Sequence, residues 1–218
     1  MSVVQQPSSA GLVARVMGML KSPATEWDVI DGESATVQGL FTGYVCILAA
    51  IPAVASLVAG LLMTSLFSAI HLGFGLGAVL SFPALVGMAI VTYIAQLASV
   101  AVLGFLADAL APSFDGQKSQ IQGFKLAAYS PTASWVSSIL RIIPVIGFFA
   151  VIAGAIYSIY TFWIGAPKLM KVPDEKATGF NIVLILAWLV VYFVIAGVLG
   201  GIVTAMFIGS MVTAGGFH

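Results

Sequence analysis

The chain has few charged residues, and a long internal stretch has none. Only 7% of its 218 residues are charged, and no Asp, Glu, Lys or Arg occurs between Glu33 and Asp108. A water-soluble fold needs such side chains on its surface, whereas each charge in the middle of a bilayer costs roughly 3 kcal/mol or more. One crossing takes about 20 residues, so this stretch predicts at least two transmembrane helices. The chain is therefore predicted to be an integral membrane protein.

Cysteine and histidine are also scarce. Cys46 has no second cysteine to pair with, and His71 and His218 are too few for an imidazole-based metal centre. The formal net charge is zero, which argues against nucleic acid as a partner. The sequence contains neither His-Glu-x-x-His nor Gly-x-Ser-x-Gly, and the glycine-rich run at 73–77 lacks the strand–helix context of a phosphate-binding loop. We expect no enzyme, no catalytic residues, no cofactor and no metal.

Apolar residues, in contrast, make up 61% of the chain and form five stretches. These stretches cover 37–63, 77–107, 124–140, 145–166 and 180–212, and the third is the shortest and most polar. Their lengths predict an all-α fold, a polytopic membrane helical bundle with five transmembrane helices and an uncharged connection at 65–76. Residues 1–36 then form a cytoplasmic N-terminal segment, and residues 37–218 form the transmembrane domain.

The basic residues predict the orientation of this bundle. Cationic side chains concentrate in cytoplasmic loops. With five spans, only Arg141 lies on one side, and the other side receives Arg15, Lys21, Lys118, Lys125, Lys168, Lys171 and Lys176. The N-terminus is therefore expected in the cytoplasm and the C-terminus in the periplasm. On the cytoplasmic side, Asp108 is positioned to pair with Lys125 or Lys118.

The N-terminal segment contains an amphipathic pattern. Its apolar residues recur at helical spacing and share one face, with Arg15 on the other: Leu12, Val13, Val16, Met17 and Leu20. Such a helix is suited to lie on the membrane surface. A second short helix is predicted to begin at Pro23, because proline is favoured at the first helical position.

Polar residues within the apolar stretches form three stripes. The stripes comprise Thr92, Gln96 and Ser99 on the second helix, Ser130, Ser134, Ser137 and Arg141 on the third, and Tyr157, Ser158 and Thr161 on the fourth. If they converge, they form a candidate polar path for an ion or small solute. The alternative is that small and hydroxyl side chains hydrogen-bond across tight helix contacts, and the lack of a mid-span acid or base favours that alternative.

Several local patterns resemble the Yip (Ypt-interacting protein) family of five-span membrane proteins. Pro23 and Trp27 match the Pro-x-x-x-Trp that precedes the first span in bacterial members. Tyr129 and Pro131 resemble the family's Gly-Tyr-x-x-x-Pro region, although alanine replaces the glycine and the proline comes earlier. The segments 157–160, 165–168 and 172–177 are similar to the fourth span and its exit loop. The resemblance covers about Leu20 to the C-terminus and implies a bacterial short form in the inner membrane.

Two functional hypotheses follow from these patterns. The first is a non-enzymatic inner-membrane organiser or adaptor that acts through membrane lipids, other membrane proteins or a second copy of itself. The resemblance supports it, since eukaryotic members are linked to small GTPases and vesicle traffic, although their Asp-Leu-Tyr-Gly-Pro motif is absent here. The second hypothesis is a small transporter or channel for an ion, lipid or small polar solute that uses the three polar stripes.

Overall fold

The structure, a computed structural model, describes residues 9–69 and 82–214, and all regular secondary structure in these residues is helical. His71, the glycine-rich run at 73–77 and most of the connection predicted at 65–76 lie outside the described residues. In order, the α-helices of the described part are α1 (Ser9–Lys21), α2 (Pro23–Gly32), α3 (Val37–Leu40), α4 (Cys46–Ala69), α5 (Phe82–Leu110), α6 (Gln120–Tyr129), α7 (Thr132–Ser137), α8 (Pro144–Met170) and α9 (Asp174–Ala214).

Short non-α segments join some of these helices. A π-helical turn at Phe41–Val45 makes α3 and α4 continuous, and 3₁₀ turns at Ala111–Phe114 and Ser138–Ile142 follow α5 and α7. Four helical segments of the described residues are long and apolar enough to cross a bilayer: Val37–Leu66, Phe82–Phe114, Pro144–Met170 and Asp174–Ile195. The prediction of an all-α membrane helical bundle is confirmed.

The count of five transmembrane helices is not supported. The third apolar stretch, predicted as one helix over 124–140, is divided into α6 with 10 residues, α7 with 6 residues and a 3₁₀ turn with 5 residues. None of the three approaches the about 20 residues that a helical crossing needs. The physical reason lies at Pro131, which has no N–H to donate and which separates α6 from α7.

This broken segment nevertheless runs along the length of α8 in the opposite direction. As residue numbers rise along the segment, its contact residues in α8 have falling numbers. The pairs are Ser130 with Thr161, Ser134 with Ser158, Ser137 with Gly154, and Leu140 with Gly147. At the other end, the Gln117 N–H donates to the Met170 carbonyl at 2.7 Å. The chain thus leaves the end of α5, passes along α8 and returns through α8 to the same end.

The N-terminal helices pack against this end of the bundle, and α1 differs from its predicted orientation. Arg15 does not point away from the apolar side chains; it turns inward and forms ion pairs with Glu26 and Glu33. Burial alone lowers the pKa of Arg15, but the hydrogen bond to Glu33 and the nearby negative charges raise it above its ordinary value. The predicted apolar face is consequently divided between the bundle and the outside.

Ion pairs gather most of the charged residues at this end. Lys168 pairs with Asp28, and further pairs link Lys171 to Asp31 and Lys176 to Asp115. Lys125 is only 3% exposed and donates to the carbonyls of Ile30 at 2.8 Å and Glu33 at 2.6 Å. The expected pairing of Asp108 with Lys125 or Lys118 does not occur in the described residues, because backbone carbonyls of α2 and its exit take the Lys125 ammonium.

Trp27 of α2 is the largest side chain that joins the N-terminal helices to the bundle. It is 0% exposed, and its indole N–H donates to the Thr161 carbonyl at 2.9 Å. The ring lies against Gly165 of α8, where an added Cβ would come within 2.4 Å of the indole. This glycine is therefore required for close approach of α2 to α8.

We predict that Gly165→Ala destabilises the protein by about 1–3 kcal/mol, the usual cost of overpacking a closely packed site. Gly87→Ala is the matched control, because Gly87 is also inside a helix and a Cβ there has nothing within 4 Å. Thermal unfolding of the purified protein in detergent is the measurement. A lower Tm for Gly165→Ala and an unchanged or higher Tm for Gly87→Ala are expected; equal values would contradict this account of α2 docking.

Candidate functional site: a cavity within the bundle

A cavity of about 310 Å³ lies between α5, α8, α9 and the break that joins α6 to α7. It is level with the middle of α5 and α8, since Gln96 and Ser158 are each near the midpoint of their helix. Five residues of the predicted polar stripes line it: Gln96, Ser99, Ser130, Ser134 and Ser158. The three stripes thus meet at one place.

The break at Pro131 shapes one wall of this cavity. In an uninterrupted helix, the Ser134 N–H would donate to the Ser130 carbonyl. Here the Ser134 N–H donates to Ser158 Oγ at 3.0 Å, and the Ser130 carbonyl accepts from Thr161 Oγ1 at 3.2 Å. Two hydroxyl groups of α8 therefore replace the hydrogen bond that the break removes. Such replacement is needed because unpaired backbone groups are costly in an apolar layer.

Two tryptophans complete the polar contacts of the cavity. The Trp135 indole N–H donates to Gln96 Oε1 at 3.2 Å, and the Trp188 indole N–H donates to Ser99 Oγ at 2.8 Å. Trp188 also stacks on Tyr192, with ring centroids 5.4 Å apart. The polar stripes predicted from the sequence do not include these aromatic residues. A usable signal was present, since an indole N–H within an apolar span needs an acceptor and the stripes provide few.

The remaining polar-path residues lie away from the cavity. Thr92 is half-buried on α5, Ser137 donates to the Ser134 carbonyl, and Arg141 is exposed at the far end. The Tyr157 hydroxyl donates to the Leu20 carbonyl of α1 at 2.8 Å. Thr161 supports the break and does not line the cavity. In the described residues, the polar stripes therefore line one local cavity and do not form a continuous polar path through the bundle.

The chemistry available in this cavity is limited. No Asp, Glu, Lys, Arg, His or Cys is among the side chains that line it in the described chain. Within the same residues, no three or more His, Cys, Asp or Glu side chains are gathered as a metal-ligand set. What the lining offers is hydrogen bonding and aromatic surface.

The cavity also has a side entrance. Ala155 and Ile159 of α8 line it and are exposed on the outer surface of the bundle, with Ile159 54% exposed. Because they belong to the apolar part of a helix that is long and apolar enough to cross a bilayer, we expect this entrance to face lipid.

Two of the four residues that carry the family resemblance, Trp27 and Tyr129, form a second cluster on the α2 side of α8. The rings of Trp27 and Tyr129 meet edge to face with centroids 6.4 Å apart, and the Arg15 guanidinium lies 5.5 Å from the Tyr129 centroid. Pro23 is buried at the first turn of α2, and Pro131 stands apart at the break. Thr161 links the two clusters, since its carbonyl binds Trp27 and its hydroxyl binds Ser130.

Comparison with known proteins agrees with this architecture. Residues 17–198 match the Yip1 domain. The chain is 25% identical over 173 residues to "Inner membrane protein YohC" of Escherichia coli strain K12, which covers 78% of this chain and 85% of that protein, and the protein of the same name from Escherichia coli O6:H1 gives the same values. No solved structure gives a significant match. Because the matched domain extends over most of the chain and the chain has several helices able to cross a bilayer, the chain is a membrane protein of the Yip1 family.

Proposed function

We propose that this protein is a non-enzymatic organiser of the inner membrane that acts mainly through lipid contacts of its N-terminal helices. The location follows that of the Escherichia coli relative, whose name places that protein in the inner membrane. The observation that carries the proposal is the two-sided apolar surface of α1. Met19 is 1% exposed against the bundle, whereas Val13 is 59% exposed and Met17 is 41% exposed.

The depth of α1 supports a lipid partner for its outer side. The Leu20 carbonyl at its end bonds to Tyr157, which lies 13 residues before the end of α8 at Met170. That separation corresponds to about 20 Å along a helix axis. The Leu20 carbonyl thus lies beside an apolar turn of α8, whereas the Ala24 carbonyl in the first turn of α2 accepts from Lys168 near the end of α8, so α1 ends between the charged end of the bundle and its apolar part. A helix at this level adds cross-section to one leaflet only, as interfacial amphipathic helices do.

The orientation that we propose has the N-terminus in the cytoplasm and the C-terminus in the periplasm. The ion pairs of Arg15, Lys168, Lys171 and Lys176 hold the N-terminal helices and two loops together at one end. Arg141 is exposed near the other end. With four long helices and the broken segment each passing between the ends, the two termini are on opposite sides.

Cysteine labelling tests this orientation. In a Cys46→Ala background, Lys118→Cys is expected to be unreactive toward an impermeant maleimide in intact cells and reactive in inverted membrane vesicles. Arg141→Cys is the matched control at the opposite end and should show the reverse pattern, since both positions are exposed. Labelling of Lys118→Cys in intact cells would overturn the proposed orientation.

Spin labelling tests the lipid contact of α1. A nitroxide at Val13→Cys, in the same background and in liposomes, is expected to collide with oxygen more than with a water-soluble nickel chelate, because oxygen concentrates in lipid. Gln38→Cys, an exposed position in the first turn of α3, is the control and should prefer the nickel chelate. If the Val13 label prefers the chelate, α1 faces water and the organiser proposal fails.

The second candidate function is a small transporter, and one observation favours it: residues from all three polar stripes line one cavity. If this function is correct, reconstituted protein should raise the flux of an ion, a small solute or a labelled lipid across liposomes, and Gln96→Leu should reduce that flux severalfold. The purified Gln96→Leu protein must retain the Tm of the wild type for this comparison. Flux equal to that of protein-free liposomes for all three classes would exclude this candidate.

A further inference from the structure

The cavity between α5, α8 and α9 has properties that identify a class of ligand independently of the role of α1. Its volume of about 310 Å³ would hold about ten water molecules at the volume each occupies in the liquid. Yet its lining is mostly apolar and includes the rings of Phe162, Trp135, Trp188 and Tyr192. Aromatic rings at its walls favour a flat, apolar occupant over water.

The polar groups of the lining that lack a protein partner indicate which hydrogen-bonding group a ligand must carry. Gln96 Oε1 and Ser99 Oγ already accept from Trp135 and Trp188. Within the described residues, no protein partner accepts from the Gln96 amide nitrogen, and the hydroxyl groups of Ser134 and Tyr192 form no hydrogen bond. An amide nitrogen of glutamine is a donor only. A complementary ligand must therefore bring an acceptor, such as a carbonyl oxygen.

The lack of charge in the lining and the depth of the cavity restrict the class of ligand further. The lining contains no acidic or basic side chain in the described chain, so a phosphate or carboxylate would be buried without a partner, which is costly. The cavity is also level with the middle of α5 and α8, whereas the ester carbonyls of glycerolipids lie with the headgroups, about 15 Å from the bilayer centre. The ligand is thus neutral and carries its carbonyl within the hydrocarbon layer.

We propose that this cavity binds the ring of a lipid-soluble quinone, which enters from the bilayer past Ala155 and Ile159. A quinone ring is flat, neutral and aromatic-like, and its carbonyl oxygens accept hydrogen bonds from the Gln96 amide and the Ser134 hydroxyl. Its apolar tail extends through the side entrance into lipid. The proposal concerns binding alone and requires no electron transfer by the protein.

Tryptophan fluorescence provides the test, because Trp135 and Trp188 line the cavity and quinones quench indole emission. Purified protein in nanodiscs made from quinone-free lipid is titrated with menadione, a small naphthoquinone. We expect saturable quenching that exceeds the quenching by partition alone. Gln96→Leu should raise the apparent Kd for menadione about tenfold, as expected when one buried hydrogen bond is lost. 1,4-Dimethylnaphthalene, which has the ring but no carbonyl, should bind similarly weakly to both proteins.

Two matched variants guard against a folding defect. Ala155→Phe fills the entrance and should abolish saturable quenching. Ile156→Phe is its control, since Ile156 is 63% exposed on the same helix and does not line the cavity. Both changes are on the outer surface, and both proteins should keep the Tm of the wild type.

Three results would overturn the proposal. Equal affinity for menadione and dimethylnaphthalene would show that the cavity binds an apolar ring without recognising its carbonyl groups. Quenching unaffected by Ala155→Phe would place the quinone outside the cavity. In a third experiment, lipids brominated on their acyl chains serve as the quencher. If Ala155→Phe removes this quenching and menadione does not reduce it, the occupant of the cavity is an acyl chain. None of these results depends on whether α1 contacts lipid, so the organiser proposal stands or falls separately.

Discussion

The structure depends on one constraint, that the backbone of a broken segment inside the bundle keep its hydrogen bonds. Pro131 ends α6, and an apolar surrounding offers no water to the groups that the break leaves unpaired. Ser158 and Thr161 of α8 supply the missing partners. Because these bonds fix the position of α7 against α8, they also fix the wall of the cavity. The fold can therefore keep a short, irregular segment where a regular helix is the usual solution.

Helix α8 also joins the broken segment to the N-terminal helices. Thr161 bonds to the break through its hydroxyl and to Trp27 through its carbonyl. One turn further on, Gly165 gives the Trp27 ring room to pack. The family-motif residue Trp27 and the cavity thus lie on neighbouring faces of the same two turns of α8. Trp27 and the break at Pro131, which are distant in sequence, are therefore both held by Thr161 of α8.

The apolar pattern and the basic residues predicted much of the architecture. Four long helices occur close to the predicted stretches, because a run of apolar residues without charges has few stable alternatives to a transmembrane helix. The third stretch was predicted less well. Composition shows that Phe124 to Leu140 is apolar, but it does not show that α8 would place hydroxyl groups beside Pro131 and so make the break tolerable. The orientation of Arg15 was predicted wrongly for a similar reason, since its partners Glu26 and Glu33 lie in α2 and at the C-terminal cap of α2.

The sequence by itself determined membrane residence, the helical class and the candidate polar residues, because these follow from the cost of placing charges and unpaired backbone groups in lipid. Only the tertiary structure decided which polar residues meet. It brought Gln96, Ser134 and Ser158 to one cavity, left Thr92 and Arg141 outside it, and added Trp135 and Trp188 as lining. Helical spacing specifies the face of a residue on its own helix, whereas the neighbour of that face depends on how the helices pack, and packing is a property of the whole bundle.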